Sequence, residues 1–163
     1  MIIVTGLARS GTSAMAKLLH ESGIDMGMTF LAPPPNLKDM TIEYEESIGS
    51  LSLIKENRFP EGYFDFREKT KRTKEWGFKS PLCMFHLEEL QARKAVIVKM
   101  ERDFSEIEAS VNRCIGAVDF LRGVNSRLME IEIPDAIIVK NHELRNDPES
   151  VRERVLEVIK CRG

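Results

Sequence analysis

The first residues of the chain that could do chemistry lie between and just after two glycines, Gly6 and Gly11. The stretch reads GLARSGTS and combines one cation, Arg9, with several hydroxyl groups. Glycines permit backbone angles and close approaches that a side chain would block. We therefore expect the amides of residues 8–13 to point at an anion bound at the positive end of a helix dipole. The chemistry that this pattern predicts is the binding of a phosphate group.

The residues on either side of this stretch are of the kind that would hold it in place. Residues 2–4 form an apolar, β-branched run that is typical of a buried strand. Residues 14–19 place apolar side chains at helical spacing, and Gly23 ends that pattern. Strand, glycine turn and helix together predict a phosphate-binding loop. The alternative is a plain Gly/Ser turn between a strand and a helix.

The loop departs from the nucleotide-binding pattern G-x-x-x-x-G-K-[ST] at one position, because Thr12 replaces the lysine. That lysine normally reaches the β- and γ-phosphates, so its absence argues against ordinary ATP or GTP hydrolysis. The string ARSGTS resembles the 5′-phosphosulfate loop of sulfotransferases that use 3′-phosphoadenosine 5′-phosphosulfate (PAPS), whose signature is R-S-G-T-[ST]. The resemblance implies that PAPS is bound by Ala8, Arg9, Ser10, Gly11, Thr12 and Ser13.

Apolar runs that alternate with helical patterns predict the fold. They cover about residues 2–5, 76–79, 95–100 and 136–140. This alternation predicts an α/β fold with three layers, α/β/α, around a parallel sheet of about four strands. Ligands of such sheets lie beyond the carboxyl ends of the strands. Lys79 with Ser80, and Arg102 with Asp103, follow strand ends, so we expect them to converge with the loop on one site.

The remaining elements are predicted from periodicity and from helix start signals. Residues 24–40 contain three consecutive prolines and are expected to form a loop that holds substrate or acts as a lid. A final helix is expected to begin at Pro148 with Asp147 as its cap. The other predicted helices cover about residues 41–57, 82–90, 105–114 and 117–129. At 163 residues, the chain is expected to form a single domain, residues 1–163.

Arg102 and Ser110 carry a second resemblance to the sulfotransferases. In that family an arginine at a strand end and a serine on the next helix bind the 3′-phosphate of PAPS. Because Ser110 lies about two turns into the predicted helix, an anion lying along that helix could touch both residues. Arginine supplies a planar fork that matches phosphate oxygens. The alternative is an ordinary ion pair between Arg102 and Asp103.

The catalytic residues are implied by the resemblance alone. Lys79 resembles the lysine of the family's K-x-x-P strand end, which implies that it stabilises charge on the leaving phosphate oxygen. The cytosolic members carry a histidine base two residues later, where this chain has Pro81. In several members without that histidine, a glutamate after the first helix is the base. Glu45 is the match here, with Glu46 and then Asp65 as the next candidates.

Two further segments bear on the resemblance. Residues 141–149, NHELRNDPE, resemble the Y-E-D-L-x-x-D-P-E segment that follows the last core strand of many sulfotransferases. The larger members also have a G-x-x-G-x-x-K segment that wraps the 3′-phosphate and adenine, and this sequence lacks it. The resemblance covers residues 1 to about 160, so the chain is identified as a short member of the PAPS-dependent family.

Composition excludes several classes of function. A net charge of −2 without a basic run gives no support to nucleic-acid binding. No stretch approaches the roughly 20 apolar residues of a membrane span, and the N-terminus lacks the features of a signal peptide. The three cysteines are scattered and predict reduced thiols in the cytoplasm. No metal-ligand spacing is present, so no metal is expected.

The sequence therefore predicts a sulfotransferase that moves a sulfuryl group from PAPS to a hydroxyl or amine of a small-molecule or glycan acceptor. One alternative is a P-loop kinase of small molecules, which Thr12 disfavours. The other is a non-catalytic domain that binds a nucleotide or a protein partner.

Overall fold

Four parallel strands form the sheet in the computed structural model, which describes residues 1–26, 68–69, 71–114 and 118–162. The strands are β1 (Ile2–Gly6), β2 (Gly77–Lys79), β3 (Val96–Glu101) and β4 (Ile137–Lys140). The α-helices are α1 (Thr12–Glu21), α2 (Leu87–Ala92), α3 (Phe104–Val111), α4 (Val118–Leu128), α5 (Asn141–Asn146) and α6 (Pro148–Arg162), and a 3-10 helix spans Pro81–His86. The predicted helix over 41–57, loop residues 27–40 and the candidate bases Glu45, Glu46 and Asp65 lie outside the described residues.

The order of the strands is β2-β1-β3-β4, which places β1 between two neighbours. Ile2 pairs with Gly77 on one side and with Val96 on the other, and β3 in turn pairs with β4. Because all pairs are parallel, the carboxyl ends of the four strands meet at one edge of the sheet. The four predicted strands are confirmed to within about a residue at each end.

Each face of the sheet carries its own apolar core. Ile2 and Val4 face α1 and α6, whereas the intervening Ile3 packs with Trp76 and Leu128 on the opposite face. This alternation follows from the strand period of two. Both sets of side chains are almost fully buried, so the predicted three-layer α/β/α architecture is confirmed.

Two helix predictions need correction. Residues 82–90 do not form one α-helix, since a 3-10 helix, Pro81–His86, precedes α2. The predicted helix over 105–114 ends at Val111 because its last turn tightens, with Cys114 donating to the Val111 carbonyl at 2.8 Å. Residues 141–146, which were matched only as a sequence segment, form a short helix of their own. The predicted cap of the last helix is confirmed, since the Ser150 amide donates to the Asp147 carboxylate at 3.1 Å.

Candidate functional site

The turn between β1 and α1 has the glycine-dependent backbone that the sequence predicts. Gly11 has φ of 99°, and a Cβ added there would lie 2.2 Å from Nδ2 of Asn141. A Cβ on Gly6 would lie 2.5 Å from the carbonyl oxygen of Met100 on the neighbouring strand. Arg9, between the glycines, also has a positive φ, 72°, which is unfavourable for a residue with a side chain. Both glycines are therefore required by sterics.

Three consecutive carbonyl groups of this loop accept hydrogen bonds from three separate parts of the chain. Asn125 Nδ2 donates to the Ala8 carbonyl at 3.3 Å. Arg102 Nη1 donates to the Arg9 carbonyl at 3.2 Å, and Asn141 Nδ2 donates to the Ser10 carbonyl at 3.1 Å. We call these three donors, Asn125, Arg102 and Asn141, the carbonyl clamp. It fixes the direction of three successive peptide groups.

The sequence predicts that the amides of residues 8–13 all point at one anion, but two of these amides do not. The Ala8 amide donates to Oδ1 of Asn125 at 2.7 Å. The Ser10 amide closes a turn onto the Leu7 carbonyl at 3.1 Å. These two donors are engaged within the protein, because each finds an acceptor on the protein side of the loop. The expectation that all amides of residues 8–13 face one anion is therefore wrong for Ala8 and Ser10.

Arg102 and Ser110 both contact Arg9 of the loop. The sequence predicts that Arg102 lies near the loop, because both follow the carboxyl end of a parallel strand. Arg9 Nε donates to Oγ of Ser110 at 2.9 Å, while Arg102 donates to the Arg9 carbonyl. Ser110 is 2% exposed, and the Arg102 side chain is 18% exposed. Arg102 thus contacts the backbone of the same loop residue whose guanidinium contacts Ser110. This is an arrangement of donors that suits a polyanion.

Glu106, rather than Asp103, is the partner of Arg102. Arg102 Nε donates to Oε2 of Glu106 at 2.7 Å, and Nη2 of Arg145 lies 3.4 Å from the same oxygen. The hydrogen bond from Arg102 is the main reason that the pKa of Glu106 lies below its ordinary value. Asp103 instead caps α3 by accepting from the Ser105 amide at 2.8 Å, and hydrogen bonds from Ser105 lower the pKa of Asp103. The alternative Arg102–Asp103 ion pair is therefore wrong.

Two buried polar atoms beside the loop have no hydrogen-bond partner among the described residues. They are Oγ of Ser10 and Oδ1 of Asn141. Ser10 is 0% exposed and Asn141 is 7% exposed. Buried polar atoms are normally paired, and atoms of this kind are satisfied by a ligand or by an ordered water. Ser10 belongs to the segment where the sequence predicts an anion, and Asn141 contacts that segment through the Ser10 carbonyl.

Lys79 lies at the same sheet edge as the loop. It is the last residue of β2 and is paired with Val4 of β1. The next amide, of Ser80, donates to the Val4 carbonyl at 3.0 Å, and Thr5 Oγ1 donates to the Pro81 carbonyl at 3.3 Å. These bonds attach the end of β2 to β1 directly before the loop.

Sequence reasoning missed Asn125 and treated Asn141 only as part of a matched segment. Each carried a signal. Asn125 falls on the apolar face of its predicted helix, three residues before the buried Leu128, where a polar side chain needs a partner. Asn141 directly follows a parallel strand, as Arg102 does, and that is the edge where ligands bind.

The fold and the loop together define an α/β protein with a glycine-dependent loop after its first strand. Its fold is similar to that of the sulfotransferase STF1 from Mycobacterium tuberculosis H37Rv, a crystal structure, with a TM-score of 0.50 at 19% sequence identity. The alignment covers 96% of this chain and 66% of that chain. No family model and no curated protein matches the sequence. The fold is therefore sulfotransferase-like, and this chain spans just under two thirds of the mycobacterial one.

The described residues include neither a metal-binding cluster nor a membrane-spanning helix. They contain no group of three or more His, Cys, Asp or Glu side chains that could hold a metal ion. Within the same ranges, every helix is too short or too polar to cross a membrane.

Proposed function

We propose that the protein is a PAPS-dependent sulfotransferase that acts on a hydroxyl or amine of a small-molecule or glycan acceptor. The observation that carries this proposal is the meeting of Arg9, Arg102 and Ser110 beside the glycine loop. PAPS carries anionic groups at both the 5′ and the 3′ positions. In the proposal the amino end of α1 binds the 5′-phosphosulfate, and Arg102 with Ser110 binds the 3′-phosphate.

The proposed reaction is a displacement at the sulfur of PAPS. The acceptor oxygen or nitrogen forms a bond to sulfur while the bond from sulfur to the 5′-phosphate oxygen breaks. The acceptor proton passes to a carboxylate, for which Glu45 is proposed. The negative charge that develops on the leaving phosphate oxygen is stabilised by Lys79. Adenosine 3′,5′-bisphosphate then leaves as the product.

The three cysteines support a reducing location for this reaction. Cys83 and Cys114 are buried, Cys161 is exposed, and none of the three forms a disulfide. A single domain in the cytoplasm fits this redox state.

A ligand-stabilisation experiment tests the proposal against its rivals. Thermal unfolding is measured with adenosine 3′,5′-bisphosphate, with AMP and with ATP-Mg. A true ligand at about 100 times its dissociation constant adds about 2.7 kcal/mol to the free energy of unfolding. We expect the bisphosphate to stabilise the protein far more than AMP does. Arg102→Ala should remove most of this preference, whereas Arg152→Ala, on the exposed face of α6, should preserve it.

Each other outcome contradicts the proposal. Equal stabilisation by AMP and by the bisphosphate would contradict the assignment of Arg102 and Ser110 to the 3′-phosphate. Stronger stabilisation by ATP-Mg would favour the P-loop kinase. Bisphosphate binding without transfer of labelled sulfate from PAPS to any of a panel of sugars, phenols and amines would favour a non-catalytic binding domain.

A further inference from the structure

We propose that Asn125 is a positioning residue of the anion loop, which holds the loop in its binding conformation through the peptide of Ala8. The inference rests on the proposed function only for the choice of nucleotide probe. Asn125 is distant from the loop in sequence and belongs to none of the motifs that resemble the sulfotransferase signature. Its role follows from two hydrogen bonds, its burial and its place next to a strained residue.

Asn125 bonds both polar groups of the same residue. Its Oδ1 accepts from the Ala8 amide at 2.7 Å, and its Nδ2 donates to the Ala8 carbonyl at 3.3 Å. Two simultaneous bonds from one planar amide fix the orientation of a residue, whereas one bond leaves it free to rotate. At 2% exposure, Asn125 has little solvent to compete for these groups.

The conformation of Arg9, the residue after Ala8, explains why the two hydrogen bonds from Asn125 are needed. Arg9 has φ of 72°, and a side-chain-bearing residue keeps such a conformation only where its surroundings over-determine it. Asn125 fixes the residue before Arg9, and Asn141 fixes the carbonyl of the residue after it. These two asparagines hold Arg9 in the conformation that directs its Nε to Ser110.

The position of Asn125 argues against a purely apolar packing role. It lies on the face of α4 that carries Leu128, which is fully buried. A buried amide is unfavourable at such a place unless both of its polar groups are paired. Here both groups are paired, and both pairs go to one residue of the loop.

The test compares Asn125→Ala with Asn112→Ala. Asn112 is an exposed asparagine that accepts a hydrogen bond from Arg122 at 2.8 Å and does not touch the loop, so it controls for the loss of an asparagine hydrogen bond. Two quantities are measured on the whole protein. The first is the dissociation constant of adenosine 3′,5′-bisphosphate by calorimetry. The second is the hydrogen-exchange rate of the Ser10 amide relative to that of Val98 in the core, without ligand.

The Ser10 amide is informative because its acceptor is Leu7, not Asn125. We expect Asn125→Ala to weaken bisphosphate binding about tenfold and to speed Ser10 exchange by a similar factor, with Val98 unchanged. Asn112→Ala should change neither quantity. If Asn125→Ala does not fold, Asn125→Asp replaces it, since it keeps the acceptor for the Ala8 amide and loses the donor.

Two results would overturn the inference. One is an unchanged Ser10 exchange rate and an unchanged dissociation constant. The other is an equal acceleration of Ser10 and Val98, which would assign Asn125 to global stability. A wild-type protein that binds no bisphosphate, together with faster Ser10 exchange in Asn125→Ala, would support the positioning role and reject the proposed function.

Discussion

Arg9 Nε and Ser110 Oγ are joined by a hydrogen bond of 2.9 Å across 101 positions of sequence. The bond connects the loop after β1 to the helix after β3. It couples the two halves of the proposed nucleotide site, because any anion that binds Ser110 must share this hydroxyl with Arg9.

Ser110→Ala should reduce the preference of the protein for adenosine 3′,5′-bisphosphate over AMP. A hydrogen bond to a charged group is worth about 1.5–3 kcal/mol, so the ratio of the two dissociation constants should fall by roughly ten- to a hundredfold. Calorimetric titration with both nucleotides measures it. The matched control is Ser126→Ala, which removes an exposed hydroxyl of α4. An unchanged ratio of the two dissociation constants would show that Ser110 does not recognise the 3′-phosphate.

Gly11→Ala should abolish nucleotide binding, because the new Cβ would lie 2.2 Å from Nδ2 of Asn141 and break the bond to the Ser10 carbonyl. Gly23→Ala is the control, since Gly23 has a similar φ of 92° but open space around a Cβ. Both variants carry the cost of a positive φ, so both should be destabilised in thermal unfolding. Only Gly11→Ala should lose the bisphosphate. Normal binding by Gly11→Ala would reduce the loop to a simple turn.

Glu106→Gln should strengthen bisphosphate binding at pH 7, because Glu106 and the ligand compete for Arg102. For an exposed ion pair we expect a gain of about twofold to fivefold. Glu108→Gln, which removes the carboxylate paired with Arg122, should leave binding unchanged. Weaker binding in Glu106→Gln would instead mean that Glu106 orients Arg102 for the ligand.

The same carboxylate predicts a dependence of stability on pH. The pKa of Glu106 is lowered by the hydrogen bond from Arg102, below the ordinary 4.5. A group with a lowered pKa stabilises the folded state above its unfolded-state pKa, and this contribution is lost as the pH falls through the folded-state pKa. The free energies of unfolding of wild type and Glu106→Gln, measured in urea, should therefore differ at pH 6. They should become equal in acid, below the folded-state pKa of Glu106. A difference in the free energy of unfolding that does not change with pH would show that the ion pair does not cause the pH dependence.

Lys79→Ala should lower turnover of PAPS at least ~100-fold, because it removes the cation that stabilises the leaving phosphate oxygen. The dissociation constant of the bisphosphate should change little. Lys17→Ala, on the exposed side of α1, is the control in a steady-state assay with labelled sulfate. Full turnover by Lys79→Ala would overturn the proposed chemistry.

Glu45→Gln should also lower turnover by ~100-fold or more, within the usual range for a general base. The neighbouring Glu46→Gln gives the comparison, since a change at the wrong glutamate should leave the rate nearly intact. Pre-steady-state transfer of labelled sulfate measures the chemical step. If Glu46→Gln is the slower variant, the base is Glu46, and if neither is slow, Asp65 is the next candidate.

Local patterns were enough to predict the sheet and the loop. The apolar runs around Ile3 and Val98 specify buried strands, and Gly6 and Gly11 mark the turn. These features depend on residues that are close in sequence. The contact of Arg102 with the loop also followed from local information, because parallel strands place successive loops at the same edge.

The contacts that hold the loop could not be predicted in the same way. Asn125 contacts Ala8 across 117 positions, and Asn141 contacts Ser10 across 131. Periodicity assigns such residues to a helix but does not say which backbone groups they reach. The choice of Glu106 over Asp103 as partner of Arg102 was decided by helix capping, because the Asp103 carboxylate is engaged by the amino end of α3.

The carbonyl clamp has a consequence for the order of events during synthesis. Its donors lie at positions 102, 125 and 141, whereas the loop that they hold is made first. A chain still on the ribosome can form the first turn of α1 early, but it acquires a fixed loop only after residue 141 has emerged. Contacts of such long sequence separation form late. If the loop binds the nucleotide as proposed, fragments that stop before α5 should not be retained on an immobilised bisphosphate, because they lack Asn141.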